Sequence, residues 1–126
     1  MSTFQTCTIR EITKIRADIK IVGTIKKVDL YPGMVWVKQM GPDLKLFNMF
    51  QTWQNQGLWP TKWDEYEDHF KVLMNGPMKF YLDLLIQRLR EDKNVAFACF
   101  CPNYRICHRS IIGRYVETKG IRWIRG

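Results

Sequence analysis

The sequence lacks the features that mark a membrane or secreted protein. It contains no apolar run near the roughly 20 residues that a bilayer-spanning helix needs. The N-terminal stretch carries scattered charges and has no apolar segment of the kind found in a signal peptide. These absences predict a cytoplasmic location. A single-domain chain this short would suit a viral genome, in which case the location would be the host cytoplasm.

Negative charge is scarce at the C-terminal end of the chain. The formal net charge is +8, and after residue 104 six cations face one acid, Glu117. The cations are Arg105, Arg109, Arg114, Lys119, Arg122 and Arg125. A positive end of this kind favours anionic partners such as nucleic acid or a phosphate-bearing small molecule. A solvated basic surface that only aids solubility is the alternative.

The chain also lacks repeats, low-complexity tracts and long polar linkers. Its 126 residues, 46% of them hydrophobic, suit a single domain spanning residues 1–126 with one core. Four cysteines in a cytosolic protein do not indicate a disulfide framework. Cys7 lies alone in an alternating stretch and is predicted to be a small buried residue.

The order of hydrophobic patterns predicts an α/β fold. Strands are expected at 4–9, 19–25, 95–101 and 121–125, with a further extended piece at 34–40. Helices are expected from 41–43, from Thr61, after 75–77 and from 107 to Gly120. The run VAFACFC reads as a buried parallel strand. Alternating strands and helices predict a single three-layer-like domain with a mainly parallel sheet flanked by helices.

The junction between the strand at 95–101 and the helix at 107 is the main candidate site. Ligands of open α/β sheets bind at the carboxyl ends of strands, and a helix N-terminus there favours anions. Arg109 could hold a phosphate, with Arg105 and Arg114 as outer electrostatic support. His108 and Cys107 are the catalytic candidates, because imidazole can move a proton and a helix N-terminus activates a thiol. Alternatively, His108 and Arg109 only satisfy nearby carbonyls and acids.

The cysteines of this junction allow two other interpretations. One is a zinc site, because thiolates and imidazole bind zinc tetrahedrally, although the spacing differs from that of the usual zinc knuckles. The other is a catalytic thiol, because Cys99 to Arg105 has the C-x5-R spacing of cysteine phosphatases, although the loop lacks their small residues. The zinc ligands would be Cys99, Cys101, Cys107 and His108.

The motif VAFACFCPNYRICHRSII resembles the C-terminal motif of the domain-of-unknown-function-488 family. Cys99, Cys107, His108 and Arg109 match that pattern, and the helices starting at GPDLKL and LWPTKW are similar to the family's upstream helices, so the resemblance covers about 19–117. It implies an α/β fold and a ligand site at the Cys-His-Arg turn, and it supplies no established reaction. Cys101 stands where the family usually has an acid.

Together these observations predict a cytoplasmic α/β protein that binds a phosphate-bearing ligand, a nucleotide or nucleic acid, at the Cys-His-Arg turn. Arg109 and Cys99 would contact this ligand, and no cofactor is expected unless the zinc interpretation holds. One alternative is a non-enzymatic basic module that binds nucleic acid or protein, with a structural Cys-His-Arg turn. Another is a protein that sequesters a nucleotide without turnover. Whether the chain is an enzyme is left open.

Overall fold

The computed structural model describes residues 2–27 and 29–126. Within these ranges the chain forms five strands, five α-helices and two short 3-10 helices, at Lys38–Met40 and Tyr104–Ile106. The strands are β1 (Thr3–Thr8), β2 (Ile19–Val22), β3 (Met34–Trp36), β4 (Val95–Cys99) and β5 (Arg122–Ile124). The helices are α1 (Ile9–Ile12), α2 (Leu44–Asn55), α3 (Trp63–Met74), α4 (Lys79–Arg90) and α5 (His108–Thr118).

The described strands form one sheet in the order β3-β2-β4-β1-β5, and every recorded pair is parallel. The predicted α/β class is therefore confirmed. β4 is central, with Ala98 in register with Cys7 of β1 on one side and with Val22 of β2 on the other. All five residues of β4 are buried, as expected for a parallel strand covered on both faces.

The two faces of the sheet are covered unequally. The larger core lies between one face and helices α2 to α5, and it includes Phe97 of β4 and Phe70 of α3. The smaller core lies on the other face, where Ile12 of α1 packs with Cys7, Ala96 and Ala98. The prediction that Cys7 is a small buried residue is confirmed, since only 2% of it is exposed.

Helix starts agree with the sequence in one place and differ in another. The predicted start of α2 is confirmed, because the Asp43 carboxylate caps the helix by accepting from the Leu46 amide at 2.9 Å. The predicted cap of α3 is wrong. Its N-cap residue is Lys62, and the Thr61 hydroxyl donates to the Leu58 carbonyl. Among the described residues, no helix combines the length and apolar character required to cross a membrane.

Candidate functional site

The candidate site lies where the carboxyl ends of β2 and β4 meet the start of α5. β4 ends at Cys99, and α5 begins at His108 with Cys107 as its N-cap residue. Gly23 follows β2 and continues its pairing with β4, since its amide donates to the Ala98 carbonyl at 3.0 Å. A Cβ atom at Gly23 would fall 2.2 Å from the Phe97 ring, so only glycine allows this close approach.

Three of the four cysteines converge at this junction. The Sγ atoms of Cys99, Cys101 and Cys107 all lie within 4.8 Å of one another, and those of Cys99 and Cys107 are 2.7 Å apart. Cys99 and Cys107 are buried, whereas Cys101 is partly exposed. Cys99 and Cys101 are two residues apart, a spacing that places side chains on one face of an extended chain, and Cys107 adds the third sulfur from the start of α5.

Arg109 is buried against these cysteines and directed at acceptors of the protein itself. It is 1% exposed. Its Nη1 donates to the Cys101 carbonyl at 2.7 Å and to the Cys99 sulfur at 3.2 Å, and its Nε donates to the Gly126 carbonyl at 3.0 Å. The guanidinium therefore connects the end of β4, the following turn and the end of the chain. A phosphate contact by Arg109 stays a prediction.

His108 is held in one orientation by its surroundings. Its Nε2–H donates to the Gly23 carbonyl at 2.8 Å, and its Nδ1 lies 3.8 Å from the Cys107 sulfur. Its ring packs against Phe70 and Phe97, with centroid distances of 5.5 Å and 6.0 Å. The orientation of the imidazole is thus fixed by one carbonyl and two rings.

The three thiols of the cluster differ in the direction of their pKa shifts. Hydrogen bonds from the Cys101 and Cys107 thiols, helped by the positive Arg109, hold the pKa of Cys99 well below its usual value despite burial. Burial raises the pKa of Cys107. A hydrogen bond from Cys107 favours the Cys101 thiolate, but the Cys99 charge and burial raise the pKa of Cys101 to about 12.

A cavity of about 110 Å³ opens directly on this cluster. Its surface is predominantly apolar, and Arg109 is not among the described residues that line it. Its wall includes Lys26, Phe47, Phe50, Tyr66, Phe100 and the cluster residues Cys99, Cys101, Cys107 and His108. The predicted catalytic candidates, together with Cys99, therefore share one cavity.

The two outer arginines do not line this cavity. Arg105 is exposed and lies over the ring of Tyr104, with its guanidinium carbon 5.8 Å from the centroid. Arg114 pairs with Glu67 at 3.0 Å and lines a separate surface cleft. Their outer electrostatic role remains a prediction.

Sequence reasoning missed part of this site. Lys26 and the Gly23 carbonyl come from the segment after β2, which is separated in sequence from the cysteine motif. Phe47 and Phe50 of α2 also lie at the cavity wall, and neither was a candidate site residue. The rule that the carboxyl ends of neighbouring parallel strands share one edge could have indicated the segment after β2.

Comparison with protein-family models gives one match. The model described as DUF488-N3a, the active DUF488-N3 subclade, matches residues 8–120. This match extends beyond both ends of the region 19–117 that carries the resemblance. Neither the curated proteins nor the solved structures contain a match to the chain.

Proposed function

Because this chain belongs to the DUF488 family, we propose that it binds a small phosphate-bearing ligand, a nucleotide in the first place, in the cavity at the carboxyl end of β4. One observation carries the proposal: an aromatic-lined cavity with a lysine at its wall opens on Cys99, Cys107 and His108. The matching subclade is described as active, which agrees with a functional role for this cavity.

The cavity wall suits a planar ring. Phe47, Phe50, Tyr66 and Phe100 supply four aromatic side chains around a small apolar space. Aromatic faces bind nucleobases by stacking, which contributes about 1–3 kcal/mol per base. Phe100 is 62% exposed, so its ring is available at the mouth of the cavity.

A cation and a helix terminus supply the attraction for phosphate. Lys26 lines the cavity and is exposed. The N-terminus of α5, at His108, adds the positive end of a helix dipole. With Arg109 donating to carbonyls, Lys26 becomes the side chain best placed to pair with a ligand phosphate.

Cys107 and His108 give the same cavity its chemical groups. Both line it, so both could touch a bound ligand. Nδ1 of His108, the ring nitrogen that is not used by the Gly23 contact, could exchange a proton with such a ligand. Incubation of the chain with the nucleotide distinguishes an enzyme from a sequestering protein. An enzyme would release a product, whereas a sequestering protein would leave the nucleotide unchanged.

The alternative of a broad basic surface has less support. Arg109 is buried, Arg114 pairs with Glu67 at 3.0 Å, and Arg125 pairs with Glu117 at 3.2 Å. Three arginines of the basic end therefore already have partners within the chain. Salt titration distinguishes the two alternatives. The binding constant of a pocket that contacts one phosphate falls slowly with salt concentration, whereas that of a surface that neutralises several phosphates falls steeply.

Calorimetric titration can test the phosphate contact. Nucleoside monophosphates should bind, and the matching nucleosides should bind more weakly by about 1.5–3 kcal/mol, the usual contribution of a charge-assisted hydrogen bond. Lys26→Ala should remove the difference in affinity between nucleoside monophosphates and nucleosides. Lys14→Ala, which removes an exposed lysine outside the cavity, is the matched control and should bind like the unaltered chain.

The aromatic wall has its own matched pair of variants. Phe100→Ala should weaken nucleotide binding by about 1–3 kcal/mol. Phe80→Ala removes a similarly exposed ring, 69% exposed and outside the cavity, and should leave binding unchanged. Absence of nucleotide binding at millimolar concentration, or equal losses in Phe100→Ala and Phe80→Ala, would contradict the proposed function.

A further inference from the structure

We propose that Cys99, Cys101 and Cys107 bind one thiophilic divalent metal ion, zinc in the first place, with the fourth coordination position facing the cavity. The three sulfurs lie within 4.8 Å of one another, and all three residues line the cavity. Three protein ligands with one position left for water or substrate is the arrangement of catalytic zinc sites. Such an ion would add a Lewis acid beside the space proposed for the phosphate-bearing ligand.

The distances are close to those of a zinc site. With Zn–S bonds of about 2.3 Å, the sulfurs of a tetrahedral site are separated by roughly 3.8 Å. The Cys99 and Cys107 sulfurs, at 2.7 Å, are closer than this, and the largest separation within the trio is at most 4.8 Å. The Cys99 and Cys107 sulfurs would therefore have to move apart by about 1 Å to hold the ion.

Arg109 prepares the ligand set in two ways. Its Nη1 donates to the Cys101 carbonyl at 2.7 Å, which fixes the backbone of the ligand in the turn directly after β4. The same nitrogen donates to the Cys99 sulfur at 3.2 Å, as the outer hydrogen bonds of metal-bound ligands do. Three thiolates and a divalent ion carry one net negative charge, and the buried guanidinium neutralises it.

The chain contains its own control cysteine. Cys7 is buried in the smaller core on the opposite face of the sheet and does not line the cavity. Cys101 is the most exposed of the three proposed ligands, so Cys101→Ala is the variant least disruptive to folding. Comparing Cys101→Ala with Cys7→Ala separates loss of a ligand from loss of a cysteine.

The test is metal analysis of the full chain together with cadmium titration, both without nucleotide. Protein purified without chelator should contain one zinc per chain. The thiolate-to-cadmium absorption of the chelator-treated chain should saturate at one equivalent with an amplitude that corresponds to three sulfurs. Cys101→Ala should lower zinc affinity at least tenfold, and Cys7→Ala should match the unaltered chain. Circular dichroism of each variant verifies that it is folded.

Several results would overturn the metal site. These are the absence of zinc and cadmium binding in the folded chain, a thiolate count of two or fewer, or equal affinities in Cys101→Ala and the unaltered chain. A Cys99–Cys107 disulfide that persists under reducing conditions would also overturn it, since oxidised sulfurs cannot bind the ion. Nucleotide binding is measured separately, so either proposal can fail while the other stands.

Discussion

Replacement of Arg109 by alanine should destabilise the fold strongly, because the side chain holds three elements of the site together. The guanidinium is 1% exposed and donates to the carbonyls of Cys101 and Gly126 and to the sulfur of Cys99. A side chain whose main role is to bind an external phosphate could be removed with little loss of stability. The two roles therefore predict different unfolding curves.

The magnitude follows from the partners that Arg109→Ala leaves behind. Each charge-assisted hydrogen bond contributes about 1.5–3 kcal/mol, but the dehydration of the buried guanidinium offsets part of their sum. Removing one partner from a buried charged group costs about 3–5 kcal/mol, and we expect a loss in this range. Domains of this size have a free energy of unfolding of about 5–15 kcal/mol, so the expected loss is a large fraction of the stability of the chain.

Urea unfolding followed by circular dichroism measures this loss, with a reductant and a chelator present so that disulfides and bound metal do not contribute. Arg109→Lys retains the charge without the planar fork, so it should recover less than half of the loss. Arg88→Ala removes a partly exposed arginine that pairs with Glu91 at 2.9 Å and should lower the free energy of unfolding by less than about 1 kcal/mol. If the free energies of unfolding of Arg109→Ala and Arg88→Ala differ by less than about 1 kcal/mol, the structural role assigned to Arg109 is wrong.

The remaining predictions concern stability elsewhere in the fold. Gly113→Ala should destabilise the chain by about 1–3 kcal/mol in thermal unfolding, because the added Cβ would fall 2.2 Å from the Trp123 ring; an increase in stability would contradict the close packing. Thr8→Ala should lower the free energy of unfolding in urea by about 0.5–2 kcal/mol, because it removes the N-cap of α1. A smaller change would show that the cap is not formed. Hydrogen bonds from Thr8 lower the pKa of Glu11 in the folded chain. The ionised Glu11 carboxylate therefore contributes to stability above the pKa that Glu11 has in the unfolded chain, and this contribution is lost as the pH falls through its pKa in the folded chain. The stability difference between Glu11→Gln and the unaltered chain should therefore shrink on acidification, and a difference that is constant with pH would refute this.

The sequence predicted the sheet and its last helix because their signals are local. β4 is apolar at every position, a pattern that a strand buried on both faces requires. Gly120, expected to close α5, has a φ of +77°, which a side chain would disfavour. Helix α1 was missed because four residues show no periodicity, although Thr8 and Glu11 carry the spacing of a capping box.

The candidate site was predicted in its location and less well in its contacts. A cation in the first turn of a helix requires compensation, and the sequence interpretation assigned that role to a bound anion. In the structure Arg109 finds its acceptors in Cys101, Gly126 and Cys99, which lie in different elements. Local sequence patterns do not specify such partners, because they depend on where the turn after β4 and the end of the chain come to lie.

The position of β1 in the sheet has a consequence for how the chain folds. β1 is the first strand, yet its neighbours are β4 and β5, the last two strands of the described chain. Its backbone amides and carbonyls therefore stay unpaired until nearly the whole chain is available, whether during synthesis or on dilution from denaturant. Contacts between such distant segments slow folding, so we expect this domain to fold over roughly milliseconds to seconds rather than microseconds.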